Sequence, residues 1–259
     1  MQIPIYQVDA FTSTVFGGNP AAVCPLEDWL ADEQLQAIAA ENNLSETAFF
    51  VRRADRYDLR WFTPKLEVDL CGHATLASAF VILNYLTPGK DAVRFDTRSG
   101  ELIVRRDGDM LSMDFPALPP EPCELPPELL RALGGEPLEV LRASYYLAVY
   151  GSEQEVLDLS PDMGLLASIE GAAVIASAPG WEVDFVSRFF APSFGIPEDP
   201  VTGSAHSTLI PFWAKRQCKS RLKARQVSAR GGELFCEDRG DRVTIAGHAV
   251  LYLTGVIEL

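Results

Sequence analysis

Arg60-Trp61-Phe62-Thr63-Pro64 is followed, at an offset of 128, by Arg188-Phe189-Phe190-Ala191-Pro192. Working outward, Cys71-Gly72-His73-Ala74 is matched by Thr202-Gly203-Ser204-Ala205 at an offset of 131. Arg98, Gly100, Glu101, Leu102, Gly108 and Asp109 return as Arg230, Gly232, Glu233, Leu234, Gly240 and Asp241, all at 132. Three matches in one order at a nearly constant offset mark a duplicated unit.

The seam between the copies is visible. Seven prolines fall within residues 116–137, PALPPEPCELPPELLRALGGEP, a stiff connector. It holds a short helix with Pro127 near its start and Gly134 just past its end. The expected domains are residues 1–116 and 117–259, with the closing strand, Val250–Glu258, able to return to the first.

Each half reads as strands around a helix. Ile3–Phe11 alternates as a strand, and Glu27–Asn43 reads as an amphipathic helix with an apolar side of Leu30, Leu35, Ile38 and Ala39. Thr47–Arg52 and Tyr57–Phe62 form a strand pair, and Asp107-Gly108 is a hairpin turn. Ala74–Leu83 is apolar nearly all round, so it must be buried on all sides. Its counterpart, Ala205–Lys215, contains Pro211, which should kink it. The fold expected is α/β (α+β): two pseudo-symmetric half-closed barrels, each curled round a central helix, with a cleft between them.

Composition narrows the function. The chain has 259 residues, 47% of them apolar, so it can build a sizeable core. Its formal charge of −14 opposes general binding to nucleic acid or to anionic membranes. No apolar run spans a bilayer, and Met1-Gln2-Ile3-Pro4 does not read as a signal peptide, so a cytoplasmic location is expected. Five widely spaced cysteines, no CxxC and three histidines argue against a disulfide framework and a structural zinc site.

In each half an apolar helix begins at a glycine, Gly72 before His73 and Gly203 before Ser204. The first turn of a helix leaves N–H groups unpaired and carries partial positive charge. Two such starts can hold a substrate carboxylate without a cationic side chain. Two acids stand near them. Asp199 lies between prolines just before the second helix. Glu46 sits where a polar helix end enters an apolar strand, and partial desolvation there suits a carboxylate for proton transfer. Cys71 stands beside these groups, but its counterpart is Thr202, which cannot act as a thiol base. Two-thiol racemisation is therefore disfavoured. Neighbours at a helix start point in different directions, so Cys71 is expected to be a packing residue and not half of a thiol–histidine pair.

Four motifs occur in order: Phe16-Gly17-Gly18-Asn19-Pro20-Ala21-Ala22-Val23; Asn43-Leu44-Ser45-Glu46-Thr47; Phe62-Thr63-Pro64 with Cys71-Gly72-His73-Ala74-Thr75; and Asp199-Pro200-Val201-Thr202-Gly203-Ser204-Ala205-His206. Together they resemble the PhzF family of phenazine-biosynthesis-like isomerases, from about Gln7 to Glu258. The resemblance implies the diaminopimelate-epimerase-like fold with its site between the domains. It also implies an isomerase that needs no cofactor and no metal. The family's founding activity converts trans-2,3-dihydro-3-hydroxyanthranilate to its ketone tautomer. By similarity Glu46 takes a proton from C3 of the ring and returns it to C1, supported by His73, Asp199 and Ser204. Substrate binding is carried over to Asn19, Gly72, Thr202 and Gly203.

Cys71 departs from the founding type, and it leaves the part played in phenazine synthesis open. The expected substrate is a small anionic cyclic acid, and relatives imply a homodimer. Two other readings stay open. One is a metabolite-binding or protein-interaction member with little catalysis, which the presence of Glu46, Asp199 and Ser204 together argues against. The other is a one-base epimerase. The loops expected to wall the pocket, Thr12–Gly18 and Ala143–Gly151, do not spell out a ligand.

Overall fold

A computed structural model of the chain describes residues 1–169 and 171–259. They fall into two compact units, Met1–Asp114 with Ala246–Leu259, and Phe115–Ile245.

The first unit runs β1 (Gln2–Ala10), β2 (Asn19–Leu26), α1 (Asp32–Asn42), β3 (Glu46–Arg53), β4 (Arg56–Phe62) and β5 (Glu67–Val68). After these come α2 (Gly72–Val81), β6 (Ala92–Thr97), β7 (Gly100–Asp107) and β8 (Met110–Pro116). The second continues with β9 (Glu121–Pro122), α3 (Pro127–Leu133), β10 (Glu139–Arg142), β11 (Tyr146–Val149), α4 (Glu153–Asp158) and α5 (Met163–Ser168). It goes on through β12 (Val174–Pro179), β13 (Phe185–Ala191), β14 (Ile196–Asp199), α6 (Gly203–Gln217), β15 (Arg221–Gln226), β16 (Gly232–Asp238) and β17 (Arg242–Gly247). The last strand, β18 (Ala249–Glu258), belongs to the first unit, where it pairs antiparallel with the whole of β1. No helix among the described residues is long and apolar enough to cross a membrane.

Strand pairing repeats between the units. In the first, β2–β3 and β4–β6 are parallel, while β3–β4, β4–β5 and β6–β7 are antiparallel. In the second, β11–β12 and β13–β15 are parallel, while β12–β13, β13–β14 and β15–β16 are antiparallel.

The repeated five-residue motif has one structural job in both units. Arg60 reaches across from β4 to β5 and grips Glu67 with two bonds of 2.7 and 2.8 Å, its guanidinium 5.1 Å from the Phe62 ring. Arg188 grips Glu198 from β13 to β14 at 2.7 and 2.9 Å, 4.8 Å from Phe190. Such planar, two-pronged contacts fix a short hairpin that two residues of pairing could not hold. The extra residues of the second copy are taken up by a 3₁₀ turn at Pro192–Phe194, closed by Gly195 at φ 85°.

Helix starts differ from the sequence reading in three places, one of them α6, which begins at Gly203 and not at Ala205. α1 begins at Asp32, five residues later than expected, because Asp32 and Glu33 supply the negative charge that a first turn favours. α2 begins two residues earlier, at Gly72, and passes at Ile82 into a π-helical turn. Its residues from His73 to Ala79 are all buried, and it packs on β1, β2, β3 and β7. Thr75 and Ser78 enter that apolar setting by donating their hydroxyls to the Cys71 and Ala74 carbonyls, at 2.6 and 2.7 Å.

α6 runs unbroken through Pro211. Proline has no N–H to give to Ser207, one turn back. The freed Ser207 carbonyl instead accepts the Leu118 N–H of the proline-rich connector, at 2.9 Å.

Candidate active site

In the first unit, Asn19, Glu46, Cys71 and His73 come together. Asn19 opens β2 and Glu46 opens β3, and these strands lie side by side, with Glu46 opposite Ala21. Cys71 is the residue before α2 and His73 lies in its first turn. His73 Nε2 is 3.1 Å from Glu46 Oε2, with side chains only 5% and 11% exposed. The contact is close but not aligned as a hydrogen bond, and neither atom has another such partner among the described residues. Buried polar atoms normally find well-aligned hydrogen bonds, so two that face only each other stand out as a candidate site.

The other side of the ring is occupied. Asn19 Nδ2 donates to His73 Nδ1 at 3.1 Å, and Cys71 Sγ stands 3.5 Å from the same nitrogen. This corrects the reading of Cys71 as packing alone. Its backbone is extended, at φ −143° and ψ 107°, which swings the thiol over the first turn toward His73. Burial first, then the charge of Glu46, push the thiol up to about 11, so at neutral pH it keeps its proton. For His73, burial opposes the charged ring, but the flanking Cys71 and Glu46 outweigh it and hold the imidazole above its ordinary range. Since the thiol is protonated at neutral pH, Glu46 is the effective partner there. Turning the Asn19 amide over would present oxygen to Nδ1, so this one side chain suits both states of the ring.

The second unit assembles Asp199, Thr202, Ser204 and Gln226. The Thr202 hydroxyl donates to Asp199 Oδ2 at 2.5 Å. Gln226, fully buried on β15, accepts the Thr202 N–H at 2.8 Å and donates to the Asp199 carbonyl at 2.7 Å. Ser204 lies 3.4 Å from the Tyr145 hydroxyl. His206 Nδ1 donates to the Thr202 carbonyl at 2.8 Å, and burial pulls this histidine down to about 4, so it is neutral.

Gly72 and Gly203 are the first residues of α2 and α6, and neither helix has a side-chain cap. Ser, Thr, Asp or Asn usually fills that position and bonds the first N–H groups. Here Cys71 cannot do so well, and Thr202 gives its hydroxyl to Asp199 instead.

Gln226 and Tyr145 escaped the sequence reading. Gln226 had a usable signal: along β15, Leu222, Ala224 and Gln226 alternate inward, and a polar residue on the inward register needs a reason. Among the described residues, Glu46, Cys71 and His73 are also grouped closely enough to hold a metal ion.

Residues 8–255 match the family described as phenazine biosynthesis-like protein, PhzC-PhzF. The chain belongs to this family. It is 55% identical over 259 residues to an uncharacterized isomerase of Pseudomonas aeruginosa, covering 100% of both chains. The crystal structure of a PhzF family protein from Enterococcus faecalis is 47% identical, with a TM-score of 0.97 and 100% of both chains covered. A hydroxyproline epimerase from Agrobacterium vitis, at 10% identity and TM-score 0.59, covers 99% of this chain and 92% of its own, a likeness of fold alone. The architecture is thus the mixed α/β one of PhzF and epimerase-like proteins, and the chain is an isomerase.

Proposed function

We propose that this PhzF-family isomerase moves a proton on a small cyclic carboxylic acid, trans-2,3-dihydro-3-hydroxyanthranilate or an analogue, by carboxylate acid–base catalysis. The observation that carries the reading is the buried Glu46–His73 pair, 3.1 Å apart, with no other hydrogen bond at the facing atoms among the described residues. Glu46 removes a ring proton as a carboxylate and returns it to a second carbon as a carboxylic acid, so no atom is gained or lost. His73 holds the Glu46 carboxylate in place, and Asn19 fixes the ring. In the first unit the uncapped N–H groups after Gly72 are donors for the substrate carboxylate, which takes up negative charge as the proton leaves, and in the second unit the N–H groups after Gly203, with Ser204, are donors of the same kind. Thr202, held by Asp199 and Gln226, leaves the second helix start open. No step calls for a cofactor.

The test is Glu46→Gln, which keeps shape but cannot accept the proton. Incorporation of deuterium from heavy water into dihydrohydroxyanthranilate should fall ~10²–10⁴-fold, with binding largely kept. A thiol-based epimerase is the second reading, favoured by Cys71 Sγ at 3.5 Å from His73. Exchange that survives Glu46→Gln and disappears in Cys71→Ser would select it.

We also propose a cytoplasmic homodimer. Exposed Tyr252, Leu253 and Val256 on β18 support the dimer, and sedimentation of a clean monomer at micromolar concentration would refute it.

A further inference from the structure

Glu46, Cys71 and His73 each bring a different kind of ligand atom: a carboxylate oxygen, a sulfur and an imidazole nitrogen. These atoms all lie within 4.8 Å of one another, and all three residues are buried. We propose that this cluster is a binding site for a zinc-type divalent cation, whose occupancy reversibly switches the proton-transfer centre off. The regulatory half of the proposal rests on Glu46 being the proton carrier; the binding half does not.

Three features favour a cation of this class. The first is spacing. Bonds of ~2.3 Å to sulfur and ~2.0 Å to nitrogen, arranged tetrahedrally, put neighbouring ligand atoms about 3.5 Å apart. Cys71 Sγ and His73 Nδ1 already stand at 3.5 Å. Glu46 Oε2 now faces the other ring nitrogen at 3.1 Å, so a cation on Nδ1 displaces the Asn19 amide and draws the Glu46 carboxylate, within 4.8 Å of the other two ligand atoms, around the ring edge as the third ligand. The second is charge. A divalent ion with one thiolate, one carboxylate and one neutral imidazole has no net charge, so burial does not oppose the filled site. The third is ligand type. A sulfur and an imidazole select zinc, cadmium or cobalt over magnesium and calcium, which take oxygen. Three protein ligands leave a fourth position open for water or an anion.

Binding replaces the thiol proton, and any second proton on the ring, with metal bonds; the protons go to solvent and no oxidation occurs. Glu46, once coordinated, has no lone pair placed to accept a substrate proton. Cys71 thereby acquires a role that carboxylate catalysis does not give it.

The experiment titrates the full-length, chelator-treated protein with cobalt(II) chloride. One equivalent per chain should give a near-ultraviolet sulfur-to-cobalt band with strong visible bands of tetrahedral cobalt, and zinc chloride should abolish both by displacement. Cys71→Ser should lose the sulfur band, while Cys218→Ser, at an exposed cysteine, should keep it. Glu46→Gln should bind zinc at least ~10-fold more weakly in equilibrium dialysis. Circular dichroism of each variant separates loss of a ligand from loss of fold. A sulfur band that persists in folded Cys71→Ser, or no band at stoichiometric cobalt in the parent, overturns the site. Cobalt bound as described while Glu46→Gln retains full hydrogen exchange would leave the site standing and sink the catalytic assignment instead.

Discussion

His206 offers a quantitative test of how the second unit is held together. The ring is fully buried, bonded through Nδ1 to the Thr202 carbonyl and lying 5.9 Å from Phe185. Burial lowers its pKa from 6.5 to about 4. In the unfolded chain it takes up a proton near pH 6.5, whereas the folded protein refuses that proton until about pH 4. The neutral ring therefore costs nothing above pH 6.5, and stability drains away as the pH falls from there through the folded value. Integrated over that window, the loss is about 2 kcal/mol at pH 5 and about 3 kcal/mol in the limit. His206→Asn removes the titrating group. Urea unfolding of parent and variant at pH 7 and pH 5 isolates it, because every other group titrates in both proteins. The stability advantage of the parent should shrink by about 2 kcal/mol between the two pH values. An advantage that is unchanged would mean His206 is not held neutral, and the account of its burial would be wrong.

Other outcomes follow from the same geometry. Arg188→Met strands Glu198 and the carbonyls of Val156 and Leu159, so a loss of ~3–5 kcal/mol is expected by denaturant unfolding. Gln226→Leu leaves the Thr202 N–H and the Asp199 carbonyl without their buried partner and should cost ~1–3 kcal/mol, while weakening binding of a carboxylate ligand by calorimetry. Gly18→Ala places a Cβ 2.1 Å from the Ala10 carbonyl oxygen at φ +61°, which the loop before Asn19 cannot accommodate. Thermal denaturation of that variant should show a fall of several degrees or more.

The duplication was legible because Arg60 and Arg188 keep their motif for a structural reason, and a salt-bridged hairpin tolerates little else. The buried central helices were legible from apolar runs with no polar face. Helix ends were less so: α1 starts where acidic residues meet the first turn, a local charge effect weaker than the hydrophobic pattern that extends past it. Cys71 was misjudged because residues 71 and 73 diverge only when both are helical; an extended residue 71 brings them together. The partnership of Glu46 with His73 depends on α2 packing against β3, a long-range contact that periodicity along the chain does not encode.

The pairing of β1 with β18 bears on the order in which the chain matures. Gln2 faces Glu258, and the Leu259 N–H bonds back to the Met1 carbonyl at 2.9 Å. Residues 246–259 leave the ribosome after everything in the second unit. The unit synthesised first is therefore the one completed last, while Phe115–Ile245 has all its own strands before synthesis ends. Until β18 arrives, one edge of β1 offers unpaired backbone groups next to an apolar core, the condition under which nascent chains recruit chaperones or each other. Closing that edge joins segments at opposite ends of the sequence, the slowest kind of contact a chain can make.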